Sequence, residues 1–267
     1  MTERGVVYST NPNPVITNLN NTIRPCGSGT GEFTYTITGI QPNTTYYVRA
    51  YAKNDAGTAY GEEVSFTTKA LSGIENGYTW VDLGLSVKWA TMNVGASKPE
   101  DYGDYFAWGE TEPKETYIWS TYKWCNGSET MQTKYNTKSS YGTVDNKTQL
   151  DLNDDAAHVN WGGDWRMPTK AEQDELREQC TWTWTTENGV NGYKVTSKSN
   201  GNSIFLPAAG ERSNSVLYNA GSYGGYWSSS LRTDYPDSAW YVRFSSSNVS
   251  WPSFYRSYGR SVRPVCQ

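Results

Sequence analysis

The chain has 267 residues, room for one large domain or two smaller ones, and a formal net charge of −4. It has no Lys/Arg run, which excludes the basic patch that nucleic acid or an anionic bilayer surface demands. It also has no apolar stretch near the roughly 18 residues of a spanning helix, so membrane insertion is not expected. Aromatic residues reach 15%, with 21 Tyr and 12 Trp, which excludes a disordered chain; they predict a core where Trp and Tyr replace much of the usual Leu and bring hydrogen-bonding needs with them.

The opening Met1-Thr2-Glu3-Arg4 lacks the basic-then-apolar pattern of a secretory signal. Either the natural N-terminus is trimmed or the protein leaves the cell by another route. Residues 1–69 read as all-β. Thr34-Tyr35-Thr36-Ile37, Tyr46 to Ala52 and Glu63 to Thr67 read as strands with turn residues between them. Residues 70–77 read as a linker, and a second domain follows over 78–267. There, Thr169 to Gln179 predicts a helix. Pro168 precedes it, Thr169 is an N-cap, and Glu172 completes a capping box. The rest predicts short strands and long loops.

Gly39-Ile40-Gln41-Pro42-Asn43-Thr44-Thr45-Tyr46-Tyr47-Val48-Arg49-Ala50 resembles the E–F region of fibronectin type III domains. The resemblance implies a partial sandwich with Tyr46 as the corner tyrosine. It also implies an open sheet edge, which an upstream domain or a strand-completing subunit would cover. In the second domain, Trp165-Arg166-Met167-Pro168-Thr169-Lys170-Ala171-Glu172 resembles a motif of the C-type-lectin-like superfamily, with Gln173 where Trp is usual. Tyr78 to Ala90, Tyr105 to Glu110, Phe205 to Gly210, Tyr226 to Ser230 and Ser261 to Val265 resemble its branch called the Fibrobacter succinogenes major paralogous domain. They also resemble the variable proteins of diversity-generating retroelements of Bacteroidetes. The expected fold class is therefore α+β: a C-type-lectin-like domain with few helices, preceded by a small all-β fibronectin-type-III-like sandwich. The expected function is binding of a protein or glycan ligand at the cell surface or outside the cell, through a diversified face.

Composition points to the same place. Residues 208–267 hold six Arg, no Lys, three acidic residues, fourteen Ser and twelve aromatics. Tyr and Trp supply contact area at low entropy cost, Arg supplies planar polar contacts, and Ser and Gly adapt, as in antibody paratopes. Within a variable region over 213–260, the expected face comprises Tyr218, Tyr223, Leu231, Arg232, Thr233, Tyr235, Trp240, Tyr241, Arg243, Ser245, Ser247, Trp251, Ser253, Phe254, Tyr255, Ser257, Tyr258 and Arg260. In Ala239 to Ser245, period two puts Val242 and Phe244 inward, with Tyr241, Arg243 and Ser245 outward. Trp251, Phe254 and Tyr255 read as an exposed loop, since Pro252 bars a central strand.

Chemistry has few carriers. His158, the one histidine, lacks nucleophile-elbow or metal spacing around it. Glu110 and Glu112 form a possible carboxylate pair, with Glu110 better read as a framework residue facing a buried Arg. The reactive cysteine pair of formylglycine-generating relatives is missing, and so are the calcium–sugar motifs of animal lectins. Cys26, Cys125, Cys180 and Cys266 read as free thiols, with a Cys125–Cys180 disulfide as the alternative. Asp151, Asp154 and Asp155 could hold a cation, or be solvated acids. No enzyme, cofactor or metal site is expected. The competing readings are a structural module of a surface layer or pilus and, more distantly, a carbohydrate-active enzyme.

Overall fold

The computed structural model describes residues 1–267 and is mostly strand, 39% against 9% helix. This overturns the expected α+β, C-type-lectin-like fold class: helices are few and short, and the strands make up several small antiparallel sheets. The one well-capped helix is present but short, whereas the aromatic-rich segments pair as strands. The chain divides into two units, Met1–Leu71 and Ser72–Gln267.

The first unit comprises β1 (Glu3–Ser9), β2 (Thr22–Pro25), β3 (Thr45–Asn54), β4 (Gly57–Tyr60) and β5 (Val64–Thr67). They form one sheet in the order β2-β1-β3-β4, with β5 also on β3. Where a partial sandwich is expected, these strands form one sheet. Thr34 to Ile37, expected as a strand, forms none. Tyr46 is buried, and its hydroxyl accepts a 3.0 Å hydrogen bond from the Gln41 amide. Its ring packs against Tyr8 and Phe66. β5 is exposed at every residue.

The second unit begins earlier than the sequence suggests. β6 (Ser72–Glu75) lies in the expected linker and forms a hairpin with β7 (Tyr78–Val81), which continues through β8 (Lys88–Ala90). Then come α1 (Ala156–Trp161) and α2 (Lys170–Gln179). A three-stranded sheet follows, of β9 (Cys180–Glu187), β10 (Val190–Ser197) and β11 (Ser203–Pro207). β12 (Glu211–Ser213) and β13 (Val216–Tyr218) make a hairpin. β14 (Tyr223–Leu231) and β15 (Ser238–Ser245) pair centrally, with β16 (Asn248–Ser250) and β17 (Ser253–Tyr255) sharing the far edge of β15. β18 (Val265–Cys266) returns to β8.

Local chemistry sets both helices. Thr169 and Glu172 close the capping box of α2, and Arg166 clamps Glu172 at 2.5 Å. Gln173 is buried and donates to the Tyr226 and Trp227 carbonyls, tying α2 to β14. Asp155 caps α1 and also accepts from the Met167 amide. Burial pushes its carboxyl up to about 6, against the pull of those amides.

Three core indoles have their N–H groups satisfied by backbone carbonyls, whereas that of buried Trp89 has no partner. Trp108 donates to the Ser228 carbonyl at 2.7 Å, Trp165 to Glu75 at 2.8 Å and Trp227 to Phe106 at 2.9 Å. Three arginines, Arg256, Arg260 and Arg263, are also fully buried. Arg263 donates to Asn93 Oδ1 and to the carbonyls of Ala90 and Phe205. With only neutral partners, burial brings its pKa down to about 10, so it stays charged at neutral pH.

A candidate binding face around β14 to β17

β14 and β15 run in register from Tyr223↔Ser245 to Trp227↔Tyr241, then shift before Leu231↔Ala239. Both faces of this pair are covered. Trp227, Leu231, Ala239 and Tyr241 pack into one aromatic cluster; Tyr226, Val242 and Phe244 pack into another. Alternation therefore sends successive residues into two different cores.

That two-sided burial divides the eighteen expected face residues. Tyr223, Leu231, Tyr241, Ser257 and Arg260 are buried, contrary to expectation. Tyr241 does point away from Val242 and Phe244, but into a second core instead of solvent. Its ring meets Trp227 edge-on at 5.6 Å and lies 3.9 Å from the Arg260 guanidinium. Arg260 also pairs with Glu211 at 2.5 Å, and the Tyr223 hydroxyl lies 3.3 Å from the same carboxylate. Burial raises the Tyr223 pKa well above the ordinary tyrosine range, so it stays protonated. These residues form an internal arginine–aromatic box.

Arg232, Trp240, Ser245, Trp251, Ser253 and Tyr258 are half-buried. Trp251 is no free loop residue: Arg177 lies 4.7 Å over its ring and Trp182 packs edge-on at 5.8 Å. Phe254 and Tyr255 stand on β17, not on an irregular loop, while Pro252 falls between β16 and β17. Tyr218, Thr233, Tyr235, Arg243, Ser247, Phe254 and Tyr255 are exposed.

Around the exposed group the structure adds residues that lie outside the C-terminal stretch. Trp119 meets Tyr255 edge-on at 5.8 Å, Lys138 sits 5.9 Å from the Tyr235 ring, and Lys170 sits 5.1 Å from Trp240. Thr137 donates to the Thr233 carbonyl at 2.8 Å and fixes the Lys138 segment there. Only its threonine-lysine composition was visible in sequence, and this gives no sign of such a long-range contact.

Elsewhere the candidate chemistry is taken up structurally. His158 Nδ1 lies 3.1 Å from the Trp165 carbonyl. Glu110 pairs with Lys114 rather than with an arginine, and also accepts from the Lys123 amide. Asp151 and Asp154 are engaged by Lys134, and Asp151 also by Lys147; no three His, Cys, Asp or Glu side chains are placed to hold a metal. All four cysteines are free, so Cys125 and Cys180 are not joined.

A family model described as a domain of unknown function (DUF8237) matches residues 178–265, from the end of α2 into β18. It covers the whole β14 to β17 face but not Trp119, Lys138 or Lys170. No curated protein and no solved structure matches the chain.

The division between buried and exposed residues has a direct consequence for stability. Tyr241→Ala is expected to lose about 3 kcal/mol, whereas Tyr235→Ala stays within about 0.5 kcal/mol. Chemical denaturation of the two variants checks this; equal losses would contradict the two-core placement.

Proposed function

We propose that this is a secreted or surface-displayed ligand-binding protein whose second unit carries a diversified recognition face on a rigid β framework. One observation carries the reading. The four exposed aromatic side chains of the second unit, Tyr218, Tyr235, Phe254 and Tyr255, all fall between residues 218 and 255. The many other aromatics of this unit are buried or half-buried. Tyr and Phe placed outward with Arg and Ser nearby are the chemistry of protein recognition surfaces. Phe254 and Tyr255 stand at the edge of a sheet packed on both sides, so exchanging these outer side chains leaves its support intact.

A random peptide library displayed on phage tests binding. The full chain is expected to enrich peptides that a Tyr235→Ser, Phe254→Ser, Tyr255→Ser triple variant, folded by circular dichroism, no longer holds. Peptides retained by that variant would move the site elsewhere, and no enrichment would count against a peptide-binding face. Sequencing the gene's 3′ end across a population tests diversification. Changes should gather at the codons of Tyr218, Thr233, Tyr235, Arg243, Ser247, Phe254 and Tyr255, and spare those of Tyr223, Tyr241 and Arg260. Uniform or absent variation would overturn the diversified part.

A further inference from the structure

The arginines of the second unit fall into distinct electrostatic situations. Arg166, Arg177 and Arg260 pair with Glu172, Glu178 and Glu211. Arg256 and Arg263 have their donors filled by neutral acceptors inside the fold. Arg232 is in neither position. It follows directly after β14 and is half-buried. Its guanidinium lies 4.4 Å from the Tyr235 ring centroid and 5.7 Å from that of Trp240. Nη1 donates to Ser253 Oγ at 2.7 Å, and the side chain makes no other hydrogen bond. No carboxylate lies within 4.0 Å of it, nor of Lys138, the second cation over Tyr235.

A guanidinium held between two rings and pinned by one hydroxyl has lost its rotamer freedom in advance. It still has free donors in the planar fork that matches a carboxylate. We propose that Arg232 is the anchor for an acidic side chain of a protein partner, with Lys138 adding to the local positive field. The proposal rests on the binding-face reading and names the ligand chemistry of that face. Charge complementarity favours it: two cations stand here in no ion pair, the nearby Asp237 carboxyl being buried and bonded to the Ser238 hydroxyl and Asp234 being exposed. A peptide is favoured over an acidic sugar because the cations occupy the ring faces of Tyr235 and Trp240. Beside Arg232 itself a sugar has no uncovered ring to stack on, whereas a carboxylate approaches the guanidinium edge. Tyr255 and Phe254 then offer exposed rings to the neighbouring residues of a peptide.

The test measures fluorescence anisotropy of labelled oligoglutamate, oligoglutamine and oligogalacturonate on the full chain at low ionic strength. Oligoglutamate should bind and oligoglutamine should not. Arg232→Gln should weaken binding at least tenfold, while Arg24→Gln, an exposed arginine of the first unit, should change it less than twofold. Arg232→Lys keeps the charge without the fork and should lie between; it also serves if the glutamine variant does not fold. Failure of oligoglutamate to bind, or binding indifferent to Arg232, overturns the anchor. Arg232-dependent binding of oligogalacturonate alone overturns the choice of a protein partner. If phage peptides still require Tyr235, Phe254 and Tyr255 while Arg232 is dispensable, the face stands and the anchor falls. If neither probe set binds, both readings fall.

Discussion

Arg256→Ala is expected to destabilise the second unit by about 4 kcal/mol, the scale of breaking a buried charged network. The side chain has no solvent exposure. Nε donates to the Tyr122 hydroxyl, Nη1 to the carbonyls of Tyr135 and Pro236, and Nη2 to Gln132 Oε1 and the Lys134 carbonyl. Its plane also rests near Trp108 and Tyr122. Truncation would strand these acceptors in the interior and leave a void where an arginine stood. The five bonds reach segments far apart in sequence, so the loops from Tyr122 to Tyr135 would lose their attachment to the strand end at Tyr255. Arg256→Lys should rescue little, because one ammonium cannot reach acceptors arranged around a planar fork. Guanidinium unfolding of the variants measures the loss, and one below about 1 kcal/mol would show that water substitutes for the side chain.

Trp227→Ala should cost a comparable amount, about 4 kcal/mol. Trp227 is fully buried at the centre of β14, edge-on to Tyr241, with the Arg260 guanidinium 4.5 Å from its ring. Its indole N–H satisfies the Phe106 carbonyl at 2.9 Å. Trp227→Phe separates the two contributions. It keeps most of the packing but removes one of the two donors to that carbonyl, which still accepts from the Arg260 amide at 3.0 Å, and should lose about 1 kcal/mol. Equal losses for Phe and Ala would place the whole effect in the hydrogen bond. Thermal melts followed in the near ultraviolet would report the aromatic packing directly.

How much of this could be read in the sequence depended on the range of the interaction. The α2 cap was legible because its residues lie within four positions of one another. The Tyr46 tie was legible for the same reason, its partner Gln41 being five residues upstream. Period two correctly put Tyr241 opposite Val242 and Phe244. It could not say that both sides of β15 are covered, because coverage depends on Trp227, Arg260 and Tyr223 arriving from elsewhere. The same limit applies to arginine. Composition counts the charges, but Arg232 and Arg256 differ only in what surrounds them. The fold class failed for a related reason: one strong helix signal says nothing about how many strands the aromatic segments form.

The positions of the three buried arginines have one more consequence. Arg256, Arg260 and Arg263 all lie within the last dozen residues, downstream of every exposed ring of the face. A frameshift or premature stop anywhere in that face would delete all three together. It would leave the waiting acceptors on Gln132, Tyr135, Asn93 and Phe205 empty in the interior. Such a copy would not fold to display a damaged surface; it would fail to fold at all. The core thus makes folding depend on an intact reading frame through residues 218–255: substitutions of the exposed side chains there leave the buried arginines in place, whereas truncations remove them.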